Sequence, residues 1–241
     1  MKVELERLEK LGYGKKEAFN SLRTNLSFCG DDIHVIAFTS CTPDEGKSSI
    51  VVELGRSLAE DGKHVLILDA DLRKSVLVGR HHVKAEKGAI KGMSHYLSGQ
   101  AKLEEVLFET NVENMDVVFA GRTISNPTEL LGNRYFDKII AYAREHYDAV
   151  LIDTPPLGSV IDTAVIAPKV DGVILVVEAN KCSYRFIQDI KKQLSVTGAK
   201  VLGVVLNKVR IERGGYYNRY YKGYYSGYYK PYYGKQRKNR E

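Results

Sequence analysis

The sequence predicts a three-layer α/β domain with a mostly parallel central sheet and helices on both faces. Three observations carry this. Short Val/Ile/Leu-rich runs recur near residues 33–40, 64–70, 115–120, 148–153, 172–177 and 200–207, and near-continuous apolar runs mark strands buried on both faces. Helical spacing of apolar residues fills most of the intervals between them. The resulting strand–helix alternation favours parallel pairing through crossovers.

The elements follow in order. Residues 1–14 are charged, with glycines near the end, and are expected to form a mobile arm. Residues 15–28 carry Phe19, Leu22 and Leu26 on one helical face. A Gly-Asp-Asp break precedes the first strand, 33–40. Residues 47–60 read as a helix stopped by Asp61-Gly62. Strands at 64–70 and 115–120 bracket a segment, 81–92, whose His, Lys and Gly content predicts a mobile loop. A helix over 127–146 offers Leu130, Leu131, Ile139 and Ile140 to the core. Strands at 148–153, 172–177 and 200–207, with a helix at 183–197, complete the domain, which spans 15–213.

Composition excludes several classes. The chain has 241 residues and is 44% apolar, which argues against global disorder. No apolar stretch reaches the ~18 residues of a transmembrane helix, and the charged start lacks the apolar segment of a signal peptide. Three widely spaced cysteines, Cys29, Cys41 and Cys182, form no CxxC pattern and fit a reducing compartment. Cys41 reads as a small filler, although oxidation at that position would block the loop around it. His81, His82 and His95 lack metal-ligand spacing.

Charge is unevenly placed. Residues 207–241 hold ten Lys/Arg and two acids, a net +8, whereas the whole chain is +6. The body is therefore close to neutral. Residues 214–241 read as a flexible basic tail. Five Tyr-Tyr pairs lie there: Tyr216, Tyr217, Tyr220, Tyr221, Tyr224, Tyr225, Tyr228, Tyr229, Tyr232 and Tyr233. Basic residues interleaved with aromatics also suit single-stranded nucleic acid.

Chemistry concentrates after the first strand. Ser40 to Ser48 resembles the phosphate-loop pattern GxxxxGK[ST], with Ser40 in place of the first Gly. Backbone N–H groups at such a loop bind phosphate oxygens. Gly46 permits close approach, Lys47 neutralises β/γ-phosphate charge, and the Ser48 hydroxyl ligates Mg²⁺. Thr42, Pro43, Asp44, Glu45 and Ser49 join these as nucleotide-binding candidates, which makes ATP and Mg²⁺ the expected cofactors. Asp69 and Asp71 end one apolar strand and Asp153 ends another. Ligands of parallel sheets bind at the carboxyl ends of strands, so these acids can converge with Lys47.

With these motifs the chain resembles the cytoplasmic bacterial tyrosine kinases of capsule and exopolysaccharide synthesis. The likeness runs from about residue 17 into the tail. The segment Ile67-Leu68-Asp69-Ala70-Asp71-Leu72-Arg73 is similar to the family's second Asp-rich motif, residues 150–156 to its Walker B motif, and the tyrosine pairs to its C-terminal cluster. The resemblance implies that Lys47, Asp69, Asp71 and Asp153 are catalytic. Ser48, Asp71 and Asp153 would hold the metal, and Asp69 would accept or orient the tyrosine proton, with the division between Asp69 and Asp71 open. Arg73 would contact phosphate or a neighbouring subunit, and Asn207 the adenine. The tail tyrosines would be the enzyme's own substrate, phosphorylated between subunits. A transmembrane activator of the polysaccharide co-polymerase type, a cognate tyrosine phosphatase, ring assembly and recruitment to the inner membrane face are implied partners and setting. No nucleic acid is expected.

Departures are visible. The family's helical interface motif E-x-x-R-x-x-R keeps Glu17 and Arg23 but has Asn20 in the middle. Asp44 stands where Gly is common, and Ser75 where Pro is common. The competing reading is a partition-type or division-site ATPase whose tail binds nucleic acid or membrane. Many of these carry a signature Lys at the position of Thr42, which counts against them.

Overall fold

The computed structural model describes residues 1–86 and 88–209. The tail tyrosines lie outside the described residues. The elements are, in chain order, β1 (Val3–Leu5), α1 (Tyr13–Ser27), β2 (Val35–Ser40), α2 (Lys47–Glu60), β3 (Val65–Asp69), α3 (Leu77–Arg80), β4 (Val83–Ala85), α4 (Met93–Leu97), β5 (Phe108–Glu109), β6 (Met115–Val118), α5 (Pro127–Gly132), α6 (Arg134–His146), β7 (Ala149–Asp153), α7 (Asp162–Ile166), β8 (Gly172–Glu178), α8 (Tyr184–Val196) and β9 (Val201–Asn207).

Seven strands form one sheet in the order β5-β6-β3-β7-β2-β8-β9, parallel except for the antiparallel edge pair β5–β6. Side chains alternate across the strands and feed two separate cores. Val35, Ala37, Leu66, Leu68, Val150 and Ile152 face α4, α6 and α8. Ile36, Phe38, Val65, Ile67 and Leu151 face α2, with α1 packed outside it through Phe19, Leu22 and Leu26. This is the three-layer arrangement that the apolar runs predict. The last strand departs from it. Among the described residues only β8 pairs with β9, and Val204 and Leu206 are half exposed, so that apolar run is an edge strand of the described sheet, covered on one face.

The expected helix over 127–146 is two helices. Asn133 interrupts it in an extended conformation, and its side chain accepts the Tyr135 and Phe136 N–H groups as the N-cap of α6. Leu131, Ile139 and Ile140 are buried as expected, and Leu130 is partly covered.

Two segments expected to be mobile pair with each other over part of their length. Val3 and Leu5 are buried, and β1 pairs antiparallel with β4 at Val3–Ala85 and Leu5–Val83. The Arg7 N–H donates to His81 O at 3.1 Å, and the His81 ring sits 2.8 Å from Arg7 O. Residues 2–7 of the arm and 81–86 of the loop therefore hold each other. Neither has a strand signal alone, because three-residue strands are too short for periodicity to register. We predict that Leu5→Ala lowers unfolding free energy by ~2–4 kcal/mol, as for a buried leucine. A free arm would change it by less than ~0.5 kcal/mol; denaturant unfolding distinguishes the two.

Candidate functional site

The central strands β3, β7 and β2 lie side by side, and their carboxyl ends carry the residues of interest. The loop between β2 and α2 departs from its pattern without loss of shape. Ser40 lies outside the left-handed region, so a glycine is not required there, and its hydroxyl donates to Thr42 O at 2.7 Å. Gly46 has φ 92° directly before α2, where a side chain would be strained. Asp44 is also left-handed, at φ 63°, a conformation that Asp tolerates better than most residues and that explains why glycine suits the position.

Lys47 is 7% exposed. It lines a cleft with Pro43, Asp44, Gly46 and Ser48 on one side, Asp71, Arg73, Lys74 and Arg80 on another, and Pro155, Pro156, Ser159 and Val160 on a third. Four cations against two carboxylates give this cleft the electrostatics of an anion site. Arg80, which no sequence signal marked, donates to the Ser49 hydroxyl at 2.5 Å.

Other expected contact residues brace the loop from behind. Glu45 is fully buried, and its carboxylate accepts the N–H of Thr42 at 2.8 Å and of Glu178 at 3.3 Å. Asn207 donates its amide N–H to Glu45 O at 2.8 Å. Thr42, Glu45 and Asn207 do not line the cleft. The side chain of Asn207, expected at an adenine, thus has one amide N–H on the loop's own backbone.

The acids meet through sheet register. Asp69 and Asp153 are direct neighbours across β3 and β7. Asp153 is 2% exposed, and its Oδ1 has no hydrogen-bond partner among the described residues. Burial raises its proton affinity, while Lys47 and a hydrogen bond from Ser48 pull it back. Asp69 is fully buried. It accepts the Asp71 N–H at 3.3 Å and the Ser75 hydroxyl. Burial and then the charge of Asp153 push its carboxyl well above the usual range, with Ser75 opposing. The serine found where proline is common is thus a working ligand of Asp69. Asp71 lines the cleft and accepts the Lys74 N–H at 2.9 Å. An orphaned carboxylate oxygen beside a serine hydroxyl and a second carboxylate is an all-oxygen donor set, which fits a hard divalent cation.

Arg73 is clamped. Its guanidinium makes two hydrogen bonds to the buried Asp162, at 2.6 and 2.9 Å. Thr128 donates to the same carboxylate at 2.7 Å. Burial works against the charge of Asp162, yet Arg73 and Thr128 hold its carboxyl below the usual range. Arg73 thus ties the 69–73 segment to α5 and α7 while one side of it faces the cleft. Asp162 carried no sequence signal.

The wall after β7 is fixed by buried hydroxyls. Thr39 and Thr163 both donate to Pro155 O, at 2.9 and 2.8 Å, and Thr154 donates to Phe38 O at 2.8 Å. Gly158 passes so close to the loop that a Cβ would lie 2.1 Å from Cys41 O. Glu17 and Arg23 lie elsewhere. Glu17 accepts from Asn20 at 3.2 Å, and Arg23 donates to Ser57 O at 2.8 Å and pairs with Asp61 at 3.2 Å.

Comparison with known proteins agrees with this geometry. The family model described as an AAA domain matches residues 33–202. The chain is 42% identical to the tyrosine-protein kinase CpsD of Streptococcus agalactiae, over 88% of this chain and 93% of that one. Among solved structures, the chimerical protein CapA2B2 superposes with a TM-score of 0.78 at 28% identity, covering 86% of this chain and 93% of that one. The kinase domain of the Escherichia coli tyrosine kinase ETK gives 0.74 at 28% identity, over 83% and 79%. This P-loop fold carries nucleotide binding. No helix among the described residues is long and apolar enough to cross a membrane.

Gly158→Ala should displace the Cys41 carbonyl and the loop with it. We expect a loss of ~1–3 kcal/mol, the usual cost of overpacking, together with weaker nucleotide binding. Unfolding curves and fluorescent-nucleotide titration measure both.

Proposed function

The chain belongs to the bacterial tyrosine-kinase family, and we propose that it phosphorylates its own C-terminal tyrosines from ATP, between subunits, to regulate capsular or exopolysaccharide synthesis and export. The observation that carries this is the convergence of Lys47, Ser48, Asp71 and Asp153 at the ends of adjacent strands, in a chain that supplies ten clustered tyrosines.

Phosphoryl transfer depends on positioning and charge neutralisation more than on covalent help. Backbone N–H groups of the loop and the start of α2 would hold the phosphates, and Lys47 would sit over the β/γ-phosphate charge. Ser48, Asp71 and Asp153 would hold Mg²⁺, which supplies charge neutralisation across the phosphates. Arg80 and Lys74 add positive potential at the cleft wall. Burial and the charge of Asp153 raise the proton affinity of Asp69, the direction that a proton acceptor needs. The acceptor tyrosine hydroxyl would take the place of the Ser75 hydroxyl on Asp69. Asp162 and Thr128 position Arg73.

Each phosphotyrosine adds ~−1.5 to −2, so four or five would cancel the tail's +8. That change would release the tail from an acidic surface on a neighbouring subunit or at the membrane, and open a ring assembled partly through Glu17 and Arg23. A transmembrane activator of the polysaccharide co-polymerase type would recruit the cytoplasmic chain to the membrane's inner face and raise its rate, and a tyrosine phosphatase would reset it.

Incubation with Mg-ATP should add mass in steps of ~80 Da, one per phosphate, mapping to Tyr216–Tyr233 and absent in Lys47→Met. Phosphate confined to other positions would refute tail autophosphorylation. Ser75→Ala removes the hydrogen bond that lowers the Asp69 value, so the acid limb of the kcat/KM profile, which reports the enzyme before tyrosine displaces Ser75, should move to higher pH. An unmoved limb would remove Asp69 from the rate-limiting step. Raised carboxyl values also mean that protons compete with Mg²⁺, so Mg²⁺-dependent nucleotide affinity should strengthen as pH rises through them. Isothermal titration across that range provides the check.

A further inference from the structure

Behind the phosphate loop lie two thiols and a carboxylate that the proposed reaction does not use. Cys41 and Glu45 belong to the loop between β2 and α2, and Cys182 to the turn between β8 and α8. None of the three lines the cleft. Their ligating atoms all fall within 4.8 Å of one another. Cys182 Sγ is 3.4 Å from Glu45 Oε1 and 3.8 Å from Thr42 Oγ1. Cys182 is far from the other two in sequence, so the spacing of the cysteines gives no hint of a cluster.

We propose that Cys41, Glu45 and Cys182 form a binding site for a thiophilic divalent cation, Zn²⁺ above all. Two thiolates and a carboxylate are donors that Zn²⁺ accepts, with bonds of ~2.3 Å to sulfur and ~2.1 Å to oxygen in tetrahedral sites. Bonds of those lengths at a tetrahedral angle place a sulfur and an oxygen ~3.6 Å apart. The Cys182–Glu45 separation of 3.4 Å is close to that value, and Cys41 Sγ lies within 4.8 Å of both atoms. Thr42 Oγ1 or a water closes the fourth position. Cys41 and Glu45 are fully buried and Cys182 is partly exposed, which leaves an entry path past Cys182.

Binding forms two sulfur–metal bonds and releases the two thiol protons to solvent, so affinity rises with pH. Burial, followed by the charge of Glu45, pushes the Cys41 thiol up to about 12. Without a cation both groups stay thiols and unreactive. With one, the β8–α8 turn is tied to the phosphate loop, in addition to the hydrogen bonds from Lys181 Nζ to Pro43 O at 2.6 Å and from Asn207 to Glu45 O. The site stands whether or not the kinase reading holds, because it rests on the loop's rear face.

The test uses the full chain, freed of metal and free of nucleotide and Mg²⁺, titrated with Co²⁺. The expected result is one equivalent bound, with a sulfur-to-cobalt charge-transfer band and the strong visible bands of a tetrahedral site, all displaced by one equivalent of Zn²⁺. Cys182→Ser, at a partly exposed position, should weaken Co²⁺ binding beyond the ~10–100-fold that loss of an outer-shell partner costs. Cys29→Ser should leave it unchanged. Zn²⁺ should also protect Cys182 from alkylation. The site is overturned if no charge-transfer band develops, if the band survives in Cys182→Ser, or if Cys182 is alkylated equally with and without Zn²⁺.

Discussion

Three carboxylates packed at the ends of neighbouring strands are the constraint that the rest of the structure answers to. Asp69 and Asp153 face each other in register, both are almost fully buried, and Asp71 stands two residues away at the cleft. Taking carboxylates out of water is costly unless they are paired or hydrogen-bonded. The chain offsets only part of that cost. Ser75 and the Asp71 N–H serve Asp69, and Lys47 and Ser48 serve Asp153. One oxygen, Asp153 Oδ1, is left without a partner among the described residues. Such a group raises its proton affinity or takes a cation. The unfavourable ligand-free state is therefore the source of binding energy for the bound one.

Much of the surrounding structure keeps this cluster from relaxing. The threonine hydroxyls around Pro155 fix the segment after β7. The Arg73–Asp162–Thr128 group holds the chain after β3. Glu45 and Asn207 hold the phosphate loop from behind. Each brace joins a strand end to a different element. The acids and Lys47 therefore keep fixed relative positions, as an electrostatic site requires if it is to act without reorganising.

The layers, the strand–helix alternation and the phosphate loop were legible because they rest on local signals: apolar runs, helical spacing and a Gly-Lys-Ser triplet. α2 begins at Lys47 and ends at Glu60, where the pattern places it. What stayed hidden depends on contacts remote in sequence. The pairing of β1 with β4 joins two short segments that read separately as mobile. Asn133 as a cap within an apolar helical pattern, Asp162 beneath Arg73, and Cys182 beside Cys41 are all juxtapositions made by the fold. Ser75 and Ser40 looked like departures from a pattern; each hydroxyl has a partner that a proline or a glycine could not serve. The Asn207 side chain adds a contact that no pattern marked, an amide N–H donated to Glu45 O.

The most direct test of the central claim is to measure Asp153→Asn for both stability and cation dependence. Asp153 has its proton affinity raised on folding, so its charged form destabilises the ligand-free protein increasingly as pH rises from the ordinary carboxylate range through the raised value. Asparagine keeps the shape and removes the charge. At neutral pH without ligand the variant is expected to be more stable than the parent by ~1–3 kcal/mol, and its nucleotide affinity should no longer respond to Mg²⁺. A variant less stable than the parent, or one whose nucleotide affinity still rises with Mg²⁺ as the parent's does, would contradict it.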